Sequence, residues 1–149
     1  MDYQGGILAT VDTCYWLVKT EPQEYSYEDL EKRVRDVWDG VKNPVALKNL
    51  QDMRPGDPVF IYHTGNEKAI IGVARVVSLP YPDPSNGALP VVELASVYRL
   101  SRPVTLSEIK QDPTFEEWEL VHQPRLSVMP LTQNYWDKIH AMSGNGHKE

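Results

Sequence analysis

The chain of 149 residues is long enough for one domain with a hydrophobic core, and its 41% hydrophobic and 24% charged content is ordinary for a globular protein. Its formal charge of −6 argues against a protein that holds nucleic acid through a broad basic surface, because phosphate neutralisation needs clustered Lys and Arg, but it leaves room for a small basic patch. No apolar run approaches the length of a membrane span.

Cysteine and histidine usage narrows the classes further. Cys14 is the one cysteine, which excludes an internal disulfide and fits a reducing compartment. One cysteine and four scattered histidines offer no ligand spacing for a structural zinc ion. We therefore expect neither a metal nor a cofactor. The segment before Cys14 predicts a tail and is a poor secretory signal, because no basic region precedes its mildly apolar patch.

The first predicted element is a short buried strand, Tyr15–Lys19, that ends in polar residues. Trp16–Val18 is apolar, and Lys19–Glu21 then turns the chain polar before Pro22. Polar groups at the end of a buried strand can converge on a cavity, so this stretch is a candidate binding site. An ordinary surface loop is the alternative that the local pattern leaves open.

Two N-cap signals predict the helices of the first half. Ser26, with Asp29 three residues later, indicates a variant capping box and a helix from Tyr27 to about Arg33. Asn43 before Pro44 indicates a second helix of two to three turns. The apolar face of this second helix is expected to hold Val45, Leu47, Leu50 and Met53.

The pattern becomes β after Pro55-Gly56, which suits a type II turn. Gly72 indicates a bulge or a close backbone approach within a strand, and residues 80–90 predict a long proline-rich connection. The predicted strands are Pro58–His63, Ala69–Leu79 and Val91–Leu100.

The last third predicts two more helices and a strand. Thr105 and Glu108 indicate a capping box for a helix to about Gln111, and Thr132 caps a helix to about Met142. A helical turn at Phe115–Leu120 and a strand at Leu126–Met129 lie between them; Tyr135, Trp136 and Ile139 are expected to point inward.

These elements predict an α+β protein with a small open β-barrel or a twisted mixed sheet flanked by short helices. The expected organisation is an N-terminal tail (1–14), one domain (15–142) and a C-terminal tail (143–149).

Enzyme motifs are scarce. The sequence has no Gly-rich phosphate loop and no Gly-x-Ser-x-Gly motif. Cys14, at the predicted tail boundary, is interpreted as inert, and nothing nominates a nucleophile beside His63. A hydrolytic pair of carboxylates remains open, because acidic residues are plentiful. The pattern favours a protein that is not an enzyme.

The sequence contains more residues suited to binding a planar ligand than residues suited to catalysis. Trp16, Trp38 and Tyr62 offer flat surfaces for a nucleobase, although large aromatic residues are most often core residues. Donors and acceptors near element boundaries would suit the edge of such a base: Lys19, Thr20, Ser26, Asn43, His63, Arg125 and Ser127. Arg125 has a simpler alternative, the anchoring of a loop to a carboxylate.

Six motifs, in this order, resemble the EVE domain family. They are YWLVKTEP (15–22), YSY (25–27), WDGVKN (38–43), FIYHTG (60–65), YPDP (81–84) and PRLSVMP (124–130). The motifs run from residue 15 to residue 130, and the resemblance covers about residues 15–142. Six ordered motifs are far more specific than any one of them. Bacterial single-domain members are the nearest likeness.

The resemblance implies a PUA-like fold, akin to the YTH and ASCH domains. It also implies a pocket for a modified base, such as 5-methylcytosine or 5-hydroxymethylcytosine in DNA, or a modified base in RNA. The implied pocket residues are Lys19, Ser26, Trp38, Asn43, Tyr62, His63, Arg125 and Ser127, and the implied phosphate contacts are Lys42, Lys48 and Arg54. Lys42 stands where the family motif has Arg, and Pro44 follows the motif where the family often has an aromatic or polar residue. These departures leave the choice of base open.

We therefore expect a monomer whose partner is nucleic acid with a modified base, with no membrane or metal partner and with an effector protein acting in trans. The compartment would be the cytoplasm for a bacterial-type member and the nucleus for a eukaryotic one. Two alternatives remain. One is a nucleobase- or nucleotide-modifying enzyme with His63 or Glu21 as acid or base; the other is a protein-interaction module whose pocket holds a small molecule.

Overall fold

A mixed sheet of seven strands organises the part of the chain that the structure describes. The structure is a computed structural model that describes residues 13–144, apart from the side chain of Asn86. The strands are β1 (Tyr15–Thr20), β2 (Arg35–Trp38), β3 (Pro58–His63), β4 (Ala69–Val76), β5 (Tyr81–Asp83), β6 (Leu89–Thr105) and β7 (Val128–Leu131). The α+β class and the open, twisted, mixed sheet are confirmed. The tail predictions for residues 1–12 and 145–149 lie outside the described residues.

The sheet is open, with β2 at one end and β7 at the other. Its strand order is β2-β6-β4-β3-β1-β7, and β5 pairs with β6 outside this path. β1 runs parallel to β3, with Lys19 opposite Tyr62, whereas the other described neighbours are antiparallel. The register of β4 against β6 shifts at two places. Because such bulges bend and twist a strand, the long β6 can carry β2 round towards the end of β1.

Short helices pack against the sheet, and several of them begin at the N-cap side chains that the sequence predicts. In the described range they are α1 (Tyr27–Arg33), α2 (Pro44–Gln51), α3 (Leu106–Lys110), α4 (Glu119–His122) and α5 (Gln133–Ser143), with 3-10 turns at Pro84–Asn86 and Pro113–Phe115. The capping boxes of Ser26 with Asp29 and of Thr105 with Glu108 are both confirmed, and so is the Asn43 cap. None of these helices combines the length and apolar character that crossing a membrane requires.

Several predicted boundaries were wrong, mainly around prolines. The predicted connection 80–90 contains β5, and β6 runs on through Pro90 and Pro103. Pro90 pairs with Pro82 of the short outer strand, where a missing N–H is tolerated. The strands predicted to end at Leu79 and Met129 end at Val76 and Leu131.

One predicted helix face was also wrong. Val45 is 53% exposed, and Ala46 is buried in its place. Ala46 and Leu50 lie four residues apart on the same face of α2, which packs against the core. Met53 is buried as predicted, although it lies beyond the helix end.

Candidate nucleobase-binding cleft

A cleft of about 460 Å³ lies where the two ends of the open sheet face each other. β2 and the residues after it form one side, and the end of β1 with the residue before β7 forms the other. The lining residues are Lys19, Thr20, Glu24, Tyr25, Asp36, Val37, Trp38, Asp39, Gly40, Val41 and Ser127. Two aromatic rings, three carboxylates, one ammonium group and two aliphatic hydroxyls therefore meet here, a combination suited to a flat ligand with a polar edge.

The free edge of β2 supplies backbone groups to the cleft. Val37 lies opposite Glu93 of β6, but the N–H of Glu93 donates to Ser78 Oγ, so this pair exchanges no ladder hydrogen bonds. The outward N–H of Val37 is taken by Asp36 Oδ1 at 2.8 Å. The Val37 carbonyl oxygen has no protein partner in the described range, so the strand edge offers an acceptor to a ligand.

Trp38 and Tyr25 form the aromatic part of the wall. Trp38 is only 6% exposed, and its ring meets that of Tyr25 edge-on at 5.9 Å. The Tyr25 hydroxyl donates to Asp36 Oδ2 at 2.6 Å. Burial is the main cause that raises the pKa of Tyr25, and the Asp36 carboxylate raises it further. The Tyr25 hydroxyl therefore remains a donor. Trp38 is thus a largely buried wall residue with a small accessible surface.

Lys19 and Ser127 form the opposite wall. Lys19 Nζ donates to the Pro124 carbonyl oxygen at 2.9 Å and lies 5.6 Å from the centre of the Tyr62 ring. Desolvation by burial lowers the pKa of Lys19. The Lys19 N–H donates to the Ser127 carbonyl oxygen at 2.9 Å, which fixes the two segments together. The Ser127 hydroxyl has no protein partner among the described residues and is free for a ligand.

Carboxylates dominate the β2 side of the cleft. Asp36 also accepts from Arg33 Nε at 2.9 Å, so its charge is compensated within the protein. Glu24 and Asp39 have no ion-pair partner in the described part of the chain. The β2 side is therefore unfavourable for phosphate and favourable for the amino groups of a base.

The structure brings three of the predicted pocket residues together at the cleft, Lys19, Trp38 and Ser127. Tyr62 is buried beneath Lys19 and does not line the cleft.

Three other predicted pocket residues have structural partners. Ser26 and Asn43 cap helices α1 and α2. His63 Nε2 accepts from the Tyr27 N–H at 3.0 Å, so its Nδ1 carries the proton and donates to Glu67 Oε1 at 2.6 Å.

Arg125 lies in a second groove beside Asn43, outside the cleft lining. Of the predicted phosphate contacts, Lys42 is exposed and has no ion-pair partner in the described range. Lys48 pairs with Asp52 at 3.6 Å, and Arg54 donates to two backbone carbonyl oxygens. The phosphate-binding roles of Lys48 and Arg54 therefore stay predictions. Lys42 is better placed to contact a phosphate beside the cleft, because it directly follows the cleft residue Val41.

Sequence reasoning missed several cleft residues. Tyr25 and Asp39 stand inside the quoted motifs, so motif membership was a usable signal for them. Glu24, Asp36 and Val37 carried no such signal, because their place in the cleft depends on where β2 lies in the sheet. Among residues 13–144, no cluster of His, Cys, Asp and Glu could hold a metal ion.

Comparison with known proteins finds a family model and curated relatives that match most of the chain. The EVE domain model matches residues 14–142. Thymocyte nuclear protein 1 of Rattus norvegicus is 30% identical over 161 residues, 84% of this chain and 71% of that protein.

Solved structures are similar over nearly the whole described range. The protein Atu2648 from Agrobacterium tumefaciens has a TM-score of 0.86 and 31% identity, covering 90% of this chain and 95% of its own. The human THYN1 protein, in complex with DNA that contains 5-methylcytosine, has a TM-score of 0.83 and 26% identity, covering 88% and 98%. A more distant likeness to an ASCH protein from Zymomonas mobilis, at 13% identity and a TM-score of 0.56, concerns the fold alone and agrees with the expected PUA-like architecture.

Proposed function

This chain belongs to the EVE domain family, and we propose that it is a binding module for a modified nucleobase, such as 5-methylcytosine or 5-hydroxymethylcytosine in DNA, or a modified base in RNA. The observation that carries the proposal is the cleft of about 460 Å³ with an indole in its wall and polar groups around it. The similar human THYN1 protein, solved with DNA that contains 5-methylcytosine, supports it.

The cleft has the size and chemistry for one base. Its volume falls within the roughly 300–1,000 Å³ typical of small-molecule sites. Taking a base out of its stack costs a few kcal/mol. Contact with Trp38 and Tyr25, together with hydrogen bonds along the edge of the base, would offset this cost. The Ser127 hydroxyl can donate or accept, Asp39 and the Val37 carbonyl oxygen accept, and Lys19 donates. An apolar contact with an added methyl group would discriminate by about 1–3 kcal/mol.

The direct test is calorimetric titration of the protein with short single- and double-stranded DNA and RNA that carry cytosine, 5-methylcytosine or 5-hydroxymethylcytosine. We expect tighter binding of one modified base than of cytosine. Trp38→Phe should weaken that binding by about tenfold, which corresponds to about 1.4 kcal/mol of lost ring contact. Phe is preferable to Ala because Trp38 is largely buried, and truncation there would cost about 3–5 kcal/mol of stability.

Trp136→Phe is the matched control. Trp136 stacks on Phe60 at 4.0 Å and lies outside the cleft lining, so its replacement should leave base binding unchanged. Equal affinities of the parent and Trp38→Phe would remove Trp38 from the site. No binding of any of these nucleic acids at low salt would refute the proposed function.

No observation favours the enzyme alternative. Its two candidate acid–base groups lie outside the cleft lining. The Glu21 carboxylate accepts from Thr64 Oγ1 at 3.3 Å and from the Gln23 N–H at 3.2 Å, and both nitrogens of His63 are engaged. We propose binding without catalysis, with a nucleic-acid partner, and with any effector protein acting in trans. The monomeric state and the compartment stay predictions.

A further inference from the structure

A second groove of about 370 Å³ lies next to the cleft. It is lined by Asn43, Val45, Gln123, Pro124, Arg125 and Leu126. Two chain segments lead from one site to the other. In the first segment, Val41 lines the cleft and Asn43 lines the groove. In the second segment, Arg125 lines the groove and Ser127 lines the cleft. The two sites are therefore immediate neighbours on the surface.

The wall between them is held in place by a specific bond. Lys19, which lines the cleft, donates from Nζ to the carbonyl oxygen of Pro124, which lines the groove, at 2.9 Å. The capped start of α2 supplies the facing side, since Asn43 Oδ1 accepts from the N–H groups of Val45 and Ala46. The groove is thus built from a braced loop and a helix start.

Charge distinguishes the two sides of the cleft. Asp36 and Asp39 lie on the β2 side, and Glu24, from the turn between β1 and α1, also lines the cleft. Arg125 lines the groove, and Lys42 lies between the cleft residue Val41 and the groove residue Asn43. Both cations are exposed, and neither has an ion-pair partner within residues 13–144.

Most other arginines of the described range are already paired. Arg33, Arg35, Arg99 and Arg102 each form an ion pair with a carboxylate. A phosphate next to the bound base would meet repulsion on the carboxylate side and two available cations on the groove side.

We propose that this groove holds the nucleotide adjacent to the recognised base, with Arg125 and Lys42 at the phosphate that joins the two. The inference rests on the proposed function and names the ligand as a nucleic-acid strand instead of a free nucleoside. Val45, which is 53% exposed, and the neighbouring Pro124 supply apolar surface for the flanking sugar or base. Arg125 is then a flanking-phosphate contact, not part of the base pocket.

The experiment compares two probes by calorimetry at low salt, 5-methyl-2′-deoxycytidine and a DNA trinucleotide with 5-methylcytosine between two thymidines. The parent should bind the trinucleotide about tenfold more tightly than the nucleoside, and Arg125→Ala should weaken trinucleotide binding by about three- to tenfold. Arg75→Ala is the matched control, since Arg75 is exposed, lines neither site and has no ion-pair partner in the described range; its affinities should equal those of the parent.

A trinucleotide with neutral methylphosphonate linkages separates charge from shape. It should bind the parent more weakly than the natural trinucleotide, and Arg125→Ala should then have no further effect. Equal trinucleotide affinities of Arg125→Ala and the parent would overturn the inference, as would an equal loss for nucleoside and trinucleotide, which would return Arg125 to the base site. If the parent binds neither probe but binds another modified base, the same comparison is made with that base; if it binds no base, the proposed function itself fails.

Discussion

Tyr27 shows how single residues decide what the site can contain. Its ring is fully buried, its hydroxyl donates to the Val73 carbonyl oxygen at 2.7 Å, and burial raises its pKa to about 12. The Tyr27 N–H donates to His63 Nε2. The motif that contains His63 suggested contact with a base, but in the structure this nitrogen accepts a buried hydrogen bond from the protein backbone. The ring also lies against Gly72, where a Cβ atom would be 2.8 Å from Tyr27 Cζ.

Gly72→Ala should therefore destabilise the protein. The added methyl group would meet the Tyr27 ring and, at 3.0 Å, the Tyr98 carbonyl oxygen. Overpacking of this kind costs about 1–3 kcal/mol, to be measured by urea unfolding. The cost should shrink when Tyr27→Leu removes the ring, since contacting residues are coupled. Simple additivity of the two changes would show that the ring is not what requires glycine here.

Elements are joined at their ends by charged caps, as between β6 and α3. Thr105 and Glu108 form the capping box of α3, and Arg102 of β6 reaches Glu108 Oε2 at 3.0 Å. The Arg102 guanidinium, followed by the Thr105 N–H, lowers the pKa of Glu108 to about 2. One carboxylate thus satisfies a helix start and fixes the direction in which the chain leaves the sheet.

Stability should depend on Glu108 ionisation at acid pH. Because its pKa is lower in the folded than in the unfolded protein, its contribution is complete above the ordinary value of about 4.3 and is lost as pH falls through about 2. The difference in Tm between the parent and Glu108→Gln should be positive at pH 6 and shrink steadily as the pH is lowered from about 4 to about 2. Glu116→Gln, an exposed site with no side-chain partner in the described range, should show no such trend; a constant difference for Glu108→Gln would contradict the assignment.

The whole molecule combines an acidic body with a small cationic side. The net charge is −6, while Lys42 and Arg125, beside the cleft, have no ion-pair partner among the residues that the structure describes. The cleft itself exists because the sheet does not close, and β2 and β7 remain its two ends. A protein arranged in this way gains its specificity from the base and little affinity from the backbone of the nucleic acid.

Binding of a single strand should accordingly show a shallow salt dependence. The one phosphate proposed to contact Arg125 and Lys42 corresponds to a slope of about −0.7 for log affinity against log salt concentration, since each neutralised phosphate contributes roughly that much on single strands. Titrations of one modified oligonucleotide at several salt concentrations would measure this slope. Values several times steeper would require a basic surface elsewhere, and a slope near zero would exclude the proposed contact of Arg125 and Lys42 with a phosphate.

Much of the local structure could be predicted because it depends on neighbours in sequence. The caps at Ser26, Asn43 and Thr105 rest on bonds within three residues. The turn at Pro55-Gly56 is likewise local, with Gly56 at a φ of +96° and the Asp57 N–H donating to the Arg54 carbonyl oxygen at 3.0 Å. Because both partners of such an interaction lie within a few residues, a short window of sequence is enough to predict it.

The sequence by itself determined the family through its ordered motifs, the α+β class through its predicted strands and helices, and the nomination of Lys19, Trp38 and Ser127. Only the tertiary structure decided that Asp36 and Asp39 share the cleft with Ser127, that His63 serves α1, and that Arg125 lies in a separate groove. The reason is that these placements depend on strand order and on bulges in β6, which bring residues about ninety positions apart to one opening. No pattern within a short window of sequence carries that information.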